Sequence, residues 1–175
     1  MSKDLRELLK VVQGILLQLA CFLQWYVCIL YPQNAIVNPY AVSKDFLAQV
    51  GDPTATGTGG ESIWSHIASN GGPKAPRYFT PEFIPKFKHK EKGTVSMAVA
   101  PALEDGTKGG CGSQFFITLA DNIDYLDGKH AVFGHVVEGL DTLDKLNEVF
   151  VDQDGRQFKD VRIRHVEILG MCLFL

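Results

Sequence analysis

Gln114 stands beside two aromatic rings in the segment GSQFF, residues 112–116, directly after a cluster of glycines. An amide side chain between apolar strand positions must find hydrogen-bond partners if it is buried. A single phenylalanine, in contrast, belongs more often to a core than to a site, so Phe115 and Phe116 alone identify no chemistry. Gln114 is therefore the residue of this segment that most requires a function.

The histidines and glycines of the chain do not form a familiar metal or phosphate site. The five histidines never pair at the short spacings that zinc sites use. The glycine loop at residues 57–60 lacks the GxxxxGKS/T and GxGxxG patterns and no strand-loop-helix pattern surrounds it. We therefore expect neither a metal nor a cofactor. On its own, His130 is more typical of a structural histidine than of a catalyst.

The charge balance argues against direct binding of nucleic acid. The chain has 17 Lys and Arg against 20 Asp and Glu, a net charge of −3, so it lacks a global positive field. The segment KFKHKEK, residues 86–92, could contact phosphate or serve as a nuclear address. Alternating lysines are more typical of a solvated strand edge, which we predict here.

Short apolar runs predict a β-rich domain. Segments with alternating or β-branched residues predict strands at 93–100, 114–119, 130–137 and 161–169. One helix is predicted from an apolar face formed by Leu140, Leu143, Leu146 and Phe150. Many short strands with a helix indicate a closed barrel or a sandwich.

The amino-terminal part differs in composition from the rest. Residues 11–31 carry no charge and would span about 30 Å as a helix, close to the thickness of a bilayer core. Gln13, Gln18 and Gln24 interrupt this run. These polar residues favour a soluble segment over a membrane anchor, because each raises the free energy of insertion.

Four motifs occur in order along the chain: KDFLAQVGDPTATGTGGES, GTVSMA, GSQFFITL and YLDGKHAVFGHVVEGL. Their order and spacing resemble those of the cyclophilin family of peptidyl-prolyl isomerases. The resemblance implies a mainly β fold, an eight-stranded antiparallel barrel capped by two helices, with a substrate groove on its outer face. It divides the chain into an atypical apolar segment, 1–41, a cyclophilin-like domain, 42–169, and an atypical apolar tail, 170–175. We expect the first barrel strands to be missing from 1–41 or replaced by an apolar helix.

The resemblance also implies a site that binds proline-containing peptides without metal or cofactor. Its implied catalytic residues are Phe46, Gln49, Gln114, Phe116 and His130. Its implied substrate-binding residues are Leu47, Ala98, Val99, Ala100, Tyr125 and Leu126. In the family, the apolar members enclose the proline ring and the amides hold the peptide. Phe115, on the opposite face of its strand, is expected in the core.

Three positions depart from the family pattern. Ala41 stands where the family has its catalytic arginine, five residues before Phe46, so a donor to the prolyl nitrogen is missing. Val99 replaces an asparagine of the groove wall. Tyr125 replaces a tryptophan that donates a hydrogen bond to cyclosporin, so we expect cyclosporin to bind weakly.

Two functions remain open at this point. The first is a peptidyl-prolyl isomerase weakened by Ala41, and the second is a non-catalytic module that binds proline-containing segments through the same groove. The motifs NIDYLDGKHAVFG and NEVFVDQDGRQFKDVRIRH resemble a nuclear branch whose members carry an RNA-recognition motif downstream. The resemblance therefore implies a nuclear location, with the cytoplasm as the alternative, and partners among RNA-processing proteins. Turnover on a proline peptide separates the two functions.

Overall fold

A computed structural model describes residues 10–12, 42–54, 56–102 and 109–149. Within these ranges the strands are β1 (Lys10–Val12), β2 (Val42–Ser43), β3 (Leu47–Val50), β4 (Thr94–Ala100), β5 (Gly110–Thr118) and β6 (Val132–Glu138). The helices are α1 (Ile63–Ser69) and α2 (Leu140–Asn147), and a short 3₁₀ helix spans Asp124–Leu126.

The six strands form one antiparallel sheet in the order β1-β6-β4-β5-β3-β2. This arrangement, with two helices, confirms the mainly β fold that the sequence predicts. Strands β1 and β2 lie at the two edges of the sheet, so the described residues do not close a barrel. The strand predicted at 161–169 lies outside the described residues.

The alternation of side chains along the strands gives the sheet two distinct faces. The inner face carries the main core, which contains Val42, Ala48, Val50, Val95, Met97, Cys111, Phe115, Ile117, Leu119, Phe133, Val136 and Leu143. Phe115 packs edge-on against Phe133, with ring centroids 6.1 Å apart. The predicted place of Phe115 in the core is confirmed.

Helix α2 covers one part of this core. Leu143 is fully buried and Leu146 packs against the core cluster, as their spacing on one helical face predicts. The helix begins after Gly139, whose φ of 87° is a conformation that glycine adopts without strain. Phe150, the last residue of the predicted face, lies outside the described residues.

The structure differs from the sequence-based expectations at two places. Residues Lys10–Val12 form a strand that pairs with β6, so this part of the amino-terminal segment does contribute to the sheet. Residues 86–92 form no strand, and the prediction of a strand edge there was wrong. The segment is an irregular connection into β4 that buries His89 and exposes Lys86, Lys88 and Lys90.

Neither helix in the described part of the chain is long and apolar enough to cross a bilayer. Most of the apolar run at 11–31 lies outside the described residues.

Candidate active site

A second apolar cluster lies on the outer face of the sheet. The strand register sets Phe116 opposite Gln49 on β3 and Ser96 on β4, so its side chain points away from the main core. Phe116 is only 1% exposed and packs within what we call the outer cluster: Phe46, Leu47, Ala98, Phe116, Ala120, Ile123 and Leu126. Five of these seven residues are predicted site residues. Ala120 and Ile123 are not, although the spacing of Ile123 and Leu126 across one short turn offered a signal.

His130 stands edge-on to the ring of Phe116, with centroids 5.1 Å apart and an angle of 80°. Its Nδ1 lies 3.1 Å from the carbonyl oxygen of Met97. A carbonyl only accepts, so Nδ1 carries the hydrogen of the neutral ring. Burial lowers the pKa of His130, and the nearby His89 and Lys129 lower it further against the opposing effect of the Met97 bond. His130 is therefore a neutral wall of the site with Nε2 as an acceptor.

Gln49 and Gln114 place two amides beside the outer cluster. Gln49 Nε2 donates to Gln114 Oε1 at 2.6 Å. Gln114 Nε2 in turn donates to the carbonyl oxygens of Gly59 at 2.8 Å and Gly57 at 3.1 Å. Because backbone carbonyls only accept, these bonds fix the orientation of both amides. Gln114 thus holds the glycine loop, residues 57–60, a role that its sequence context did not predict.

Asp52 holds the same loop by accepting hydrogen bonds from backbone N–H groups of the loop and of the turn before it. Its buried carboxylate accepts from the N–H groups of Thr54, Gly57 and Gly59 and from the Thr54 hydroxyl, at 2.6–3.3 Å. Burial alone would raise the pKa of Asp52, but these hydrogen bonds more than offset that effect and hold the pKa below its usual value. The sequence GDPT offered a signal, because Asp before a Pro-Thr turn commonly accepts from the backbone that follows.

Arg77 completes the attachment of the glycine loop. Its guanidinium donates to the carbonyl oxygen of Thr58 at 2.7 Å and to that of Gly60 at 3.2 Å, and lies over the ring of Tyr78. The four carbonyls of residues 57–60 therefore all accept from Gln114 or Arg77. Sequence reasoning missed Arg77 because the loop and the arginine are 17–19 positions apart.

The half-buried Phe46 and the exposed Tyr125 form the rim of the outer cluster. Their rings stack with centroids 5.7 Å apart, and Tyr125 is 58% exposed. The turn that carries Phe46 is fixed by Asp45, which has a φ of 55°. Its N–H donates to Asn147 Oδ1 at 2.7 Å, and Asn147 Nδ2 donates back to Asp45 Oδ1 at 2.8 Å. The end of α2 thereby positions the rim.

Two of the residues singled out in the sequence are not members of the outer cluster, and a third is not described. Val99 packs against the main core, because odd-numbered residues of β4 face inward, so its side chain does not line the outer cluster. Ala100 ends β4 opposite Gly110. Ala41 lies outside the described residues.

The arrangement provides a largely buried aromatic surface with neutral polar groups at its border. The partly exposed Phe46, Leu47 and Ala98 can contact a small apolar ring over the buried Phe116, while the amides of Gln49 and Gln114 can bind a peptide backbone. Among the described residues, no three His, Cys, Asp or Glu side chains are grouped so that they could hold a metal ion.

Comparison with known proteins identifies the family. The family model for "cyclophilin type peptidyl-prolyl cis-trans isomerase/CLD" matches residues 31–168. A relative from Cryptococcus neoformans named "peptidyl-prolyl cis-trans isomerase-like 4" is 65% identical over 141 residues, which cover 79% of this chain and 27% of the relative. The human protein of the same name is 49% identical over 128 residues, covering 73% of this chain and 24% of the human one. The chain thus spans about a quarter of the length of these curated relatives.

Solved structures agree with this result. A crystal structure of a cyclophilin-type peptidyl-prolyl cis-trans isomerase from Cryptosporidium parvum matches with a TM-score of 0.73 and 30% identity, covering 90% of this chain and 88% of that one. A second crystal structure of that protein, in the presence of the dipeptide Ala-Pro, matches with a TM-score of 0.70 and 30% identity, covering 90% and 89% of the two chains. The resemblance inferred from the motifs is confirmed, and the chain belongs to the cyclophilin-type peptidyl-prolyl cis-trans isomerase family.

Proposed function

We propose that this chain accelerates the cis-trans rotation of X-Pro bonds in peptides and proteins. The observation that carries the proposal is the outer cluster around Phe116, bordered by His130 and by the amides of Gln49 and Gln114. An aromatic floor with neutral polar edges fits a prolyl ring and its flanking backbone. The family membership supports the same activity.

The residues of the outer cluster account for how rotation would be favoured. The X-Pro bond resists rotation by about 18–20 kcal/mol because twisting removes amide resonance. The proline ring would lie on the outer cluster, over the buried Phe116 and Leu126, in a water-poor site where the polar planar amide is less well solvated than in water. Gln114 Oε1 keeps a second lone pair beyond the Gln49 bond, which can accept a substrate N–H. No covalent bond is cut in this scheme.

The rate of this isomerase should be low. At Ala41 the donor that the family aims at the prolyl nitrogen is absent. The loss of one preorganised donor typically lowers the rate by about 10²–10³. Exchange spectroscopy by NMR on a short Ala-Pro peptide tests the proposal, with Phe116→Ala as the inactive variant. Cis-trans exchange equal to that of the free peptide would refute it.

The second candidate is a peptide-binding module without turnover, acting in a nuclear RNA-processing complex. It is favoured by the alanine at position 41, which supplies no donor to the twisted prolyl nitrogen but leaves the peptide-binding residues of the outer cluster in place. We place the chain in the nucleus under this proposal, as the resemblance to the nuclear branch suggests. Chemical shift changes on titration with the peptide, without faster exchange, would select this candidate. Exclusion of the tagged protein from nuclei would contradict the location.

A further inference from the structure

His89 packs against Phe116, the aromatic residue that forms the floor of the proposed site. The side chain is 1% exposed, and its ring stacks on Phe116 with centroids 6.0 Å apart and an angle of 21°. His89 Nδ1 lies 2.8 Å from Asp127 Oδ1, and Nε2 lies 3.1 Å from Ser96 Oγ. The imidazole therefore joins the aromatic floor to a strand on one side and to the end of the 3₁₀ helix on the other.

The order Ser96, His89, Asp127 resembles a hydrolytic triad, but its placement excludes that chemistry. Ser96 is fully buried on β4 opposite Phe116. A nucleophile must reach its substrate at a distance of about 3 Å, and no substrate can reach Ser96 in this arrangement.

We propose that His89 is a positioning residue of the outer cluster, which fixes the plane of the Phe116 ring against the proline-binding face. This inference rests on the proposed function for its kinetic part. Asp127 only accepts when ionised, so Nδ1–H donates to it, and in the neutral ring Nε2 accepts from the Ser96 hydroxyl. Two hydrogen bonds at opposite ends of the imidazole prevent the His89 ring from rotating, and the Phe116 ring packs against it in an offset stack at an angle of 21°.

Asp127 is well suited to anchor this ring. Burial alone would raise the pKa of Asp127. Hydrogen bonds from the His89 backbone and ring, together with the hydrogen bond and positive charge of Lys88, more than offset burial and hold this pKa below its usual value. The carboxylate is therefore ionised at neutral pH. Asp127 directly follows Leu126, so His89 also couples the floor of the outer cluster to its wall.

The backbone around His89 is attached independently of the imidazole. The His89 N–H donates to Asp127 Oδ1 at 3.0 Å, Ile123 N–H donates to the His89 carbonyl, and Asn122 N–H donates to the Lys90 carbonyl. We therefore expect the segment to stay in place when the side chain is shortened. A change at this position then reports the ring contact with Phe116 rather than loss of the fold.

The first test compares His89→Asn with Val136→Ala. The asparagine is too short to stack on Phe116, whereas Val136→Ala opens a cavity in the main core on β6, away from the outer cluster. We expect His89→Asn to lower kcat/KM for an Ala-Pro peptide about tenfold, because a misplaced Phe116 ring misplaces the substrate. Val136→Ala should destabilise the fold yet leave kcat/KM within about twofold. His89→Gln serves in the same way if the asparagine variant does not fold.

The second test asks whether His89 acts through Phe116. His89→Asn is combined with Phe116→Leu, and affinity for the Ala-Pro peptide is measured by NMR titration, which needs no turnover. We expect His89→Asn to weaken binding in the native background and to have little further effect beside Phe116→Leu. Equal effects in both backgrounds, or native kcat/KM and affinity in His89→Asn, would overturn the proposal.

A third readout is independent of ligand. The ring of Phe116 shifts the proton resonances of the edge-on His130. Measured at about pH 8, where His130 is neutral with or without His89, these resonances report the plane of Phe116. They should move in His89→Asn and stay unchanged in Val136→Ala. If exchange is absent in the native chain while these shifts and the peptide affinity change as expected, the isomerase proposal fails and the positioning role stands.

Discussion

Gln49 Nε2 and Gln114 Oε1 lie 2.6 Å apart and link β3 to β5 at the border of the outer cluster. The partners of Gln114 extend this link to the glycine loop, since both hydrogens of its amide bind loop carbonyls. One side chain thus faces the proposed site and fixes the loop beside it. Engagement of the Gln114 donors by a substrate would require these loop bonds to be exchanged.

The first prediction concerns Gln114→Glu. A carboxylate would set oxygen against the carbonyls of Gly57 and Gly59, so two hydrogen bonds are replaced by repulsion. We expect the free energy of unfolding to fall by about 1–3 kcal/mol, measured by urea unfolding. Gln49→Ala, which keeps both loop bonds, should cost only about 1 kcal/mol. Native stability of Gln114→Glu would show that the loop does not depend on this amide.

The second prediction concerns acid stability. The pKa of Asp52 is lower in the folded chain than in the unfolded one. The ionised carboxylate therefore adds to the free energy of unfolding above the unfolded pKa, and this stabilisation is lost as pH falls through the folded pKa. Asp52→Ala should lower stability at pH 7 and flatten its decline between about pH 5 and pH 3. The exposed Asp124, replaced by Asn, is the control for urea unfolding across this range. An unchanged pH profile in Asp52→Ala would contradict the assignment.

The two faces of the sheet could be predicted from the sequence because alternation along a strand decides them directly. Adjacent Phe115 and Phe116 must point to opposite faces, and they do so in the structure. The same rule, applied to β4, places the side chain of Val99 on the inner face. Only the family pattern had suggested that Val99 lines the substrate groove. Helix α2 was likewise predictable from the spacing of its leucines.

The polar attachments of the site could not be predicted in this way. Asp45 and Asn147 are 102 positions apart, and His89 and Asp127 are 38 apart, so no local pattern relates them. The segment at 86–92 shows why alternation misleads there. It exposes lysines and buries His89 as a strand would, but it lacks a strand's ladder of hydrogen bonds. Long-range partners of this kind require the folded chain.

The third prediction concerns cyclosporin and Tyr125. Tyr125 stacks on Phe46 at the exposed rim, and the phenol differs from an indole in the reach and direction of its donor. A missing hydrogen bond costs about 1–2 kcal/mol, so cyclosporin should bind weakly to the native chain. Calorimetry should show tighter binding to Tyr125→Trp and no gain in Tyr125→Phe. If the tryptophan variant binds no better, another residue limits the affinity.

The fourth prediction concerns Ala41, which lies outside the described residues. The resemblance places a catalytic arginine at this position, where its donor would stabilise the prolyl nitrogen of the twisted bond. Such a donor is worth about 3–4 kcal/mol in the transition state and much less in the ground state. We therefore expect Ala41→Arg to raise the rate of Ala-Pro exchange at least tenfold while changing peptide affinity little, as measured by NMR exchange and titration.

Ala41→Met is the matched control, since it adds a long side chain without a donor. If both variants accelerate exchange equally, the gain comes from added apolar contact and not from the guanidinium. If neither does, although both fold and bind the peptide, residue 41 does not lie over the proline-binding face, and the position-by-position match to the family fails upstream of Phe46. An effect confined to Ala41→Arg would assign the low native rate to this one substitution, because the rest of the outer cluster is unchanged between the variants.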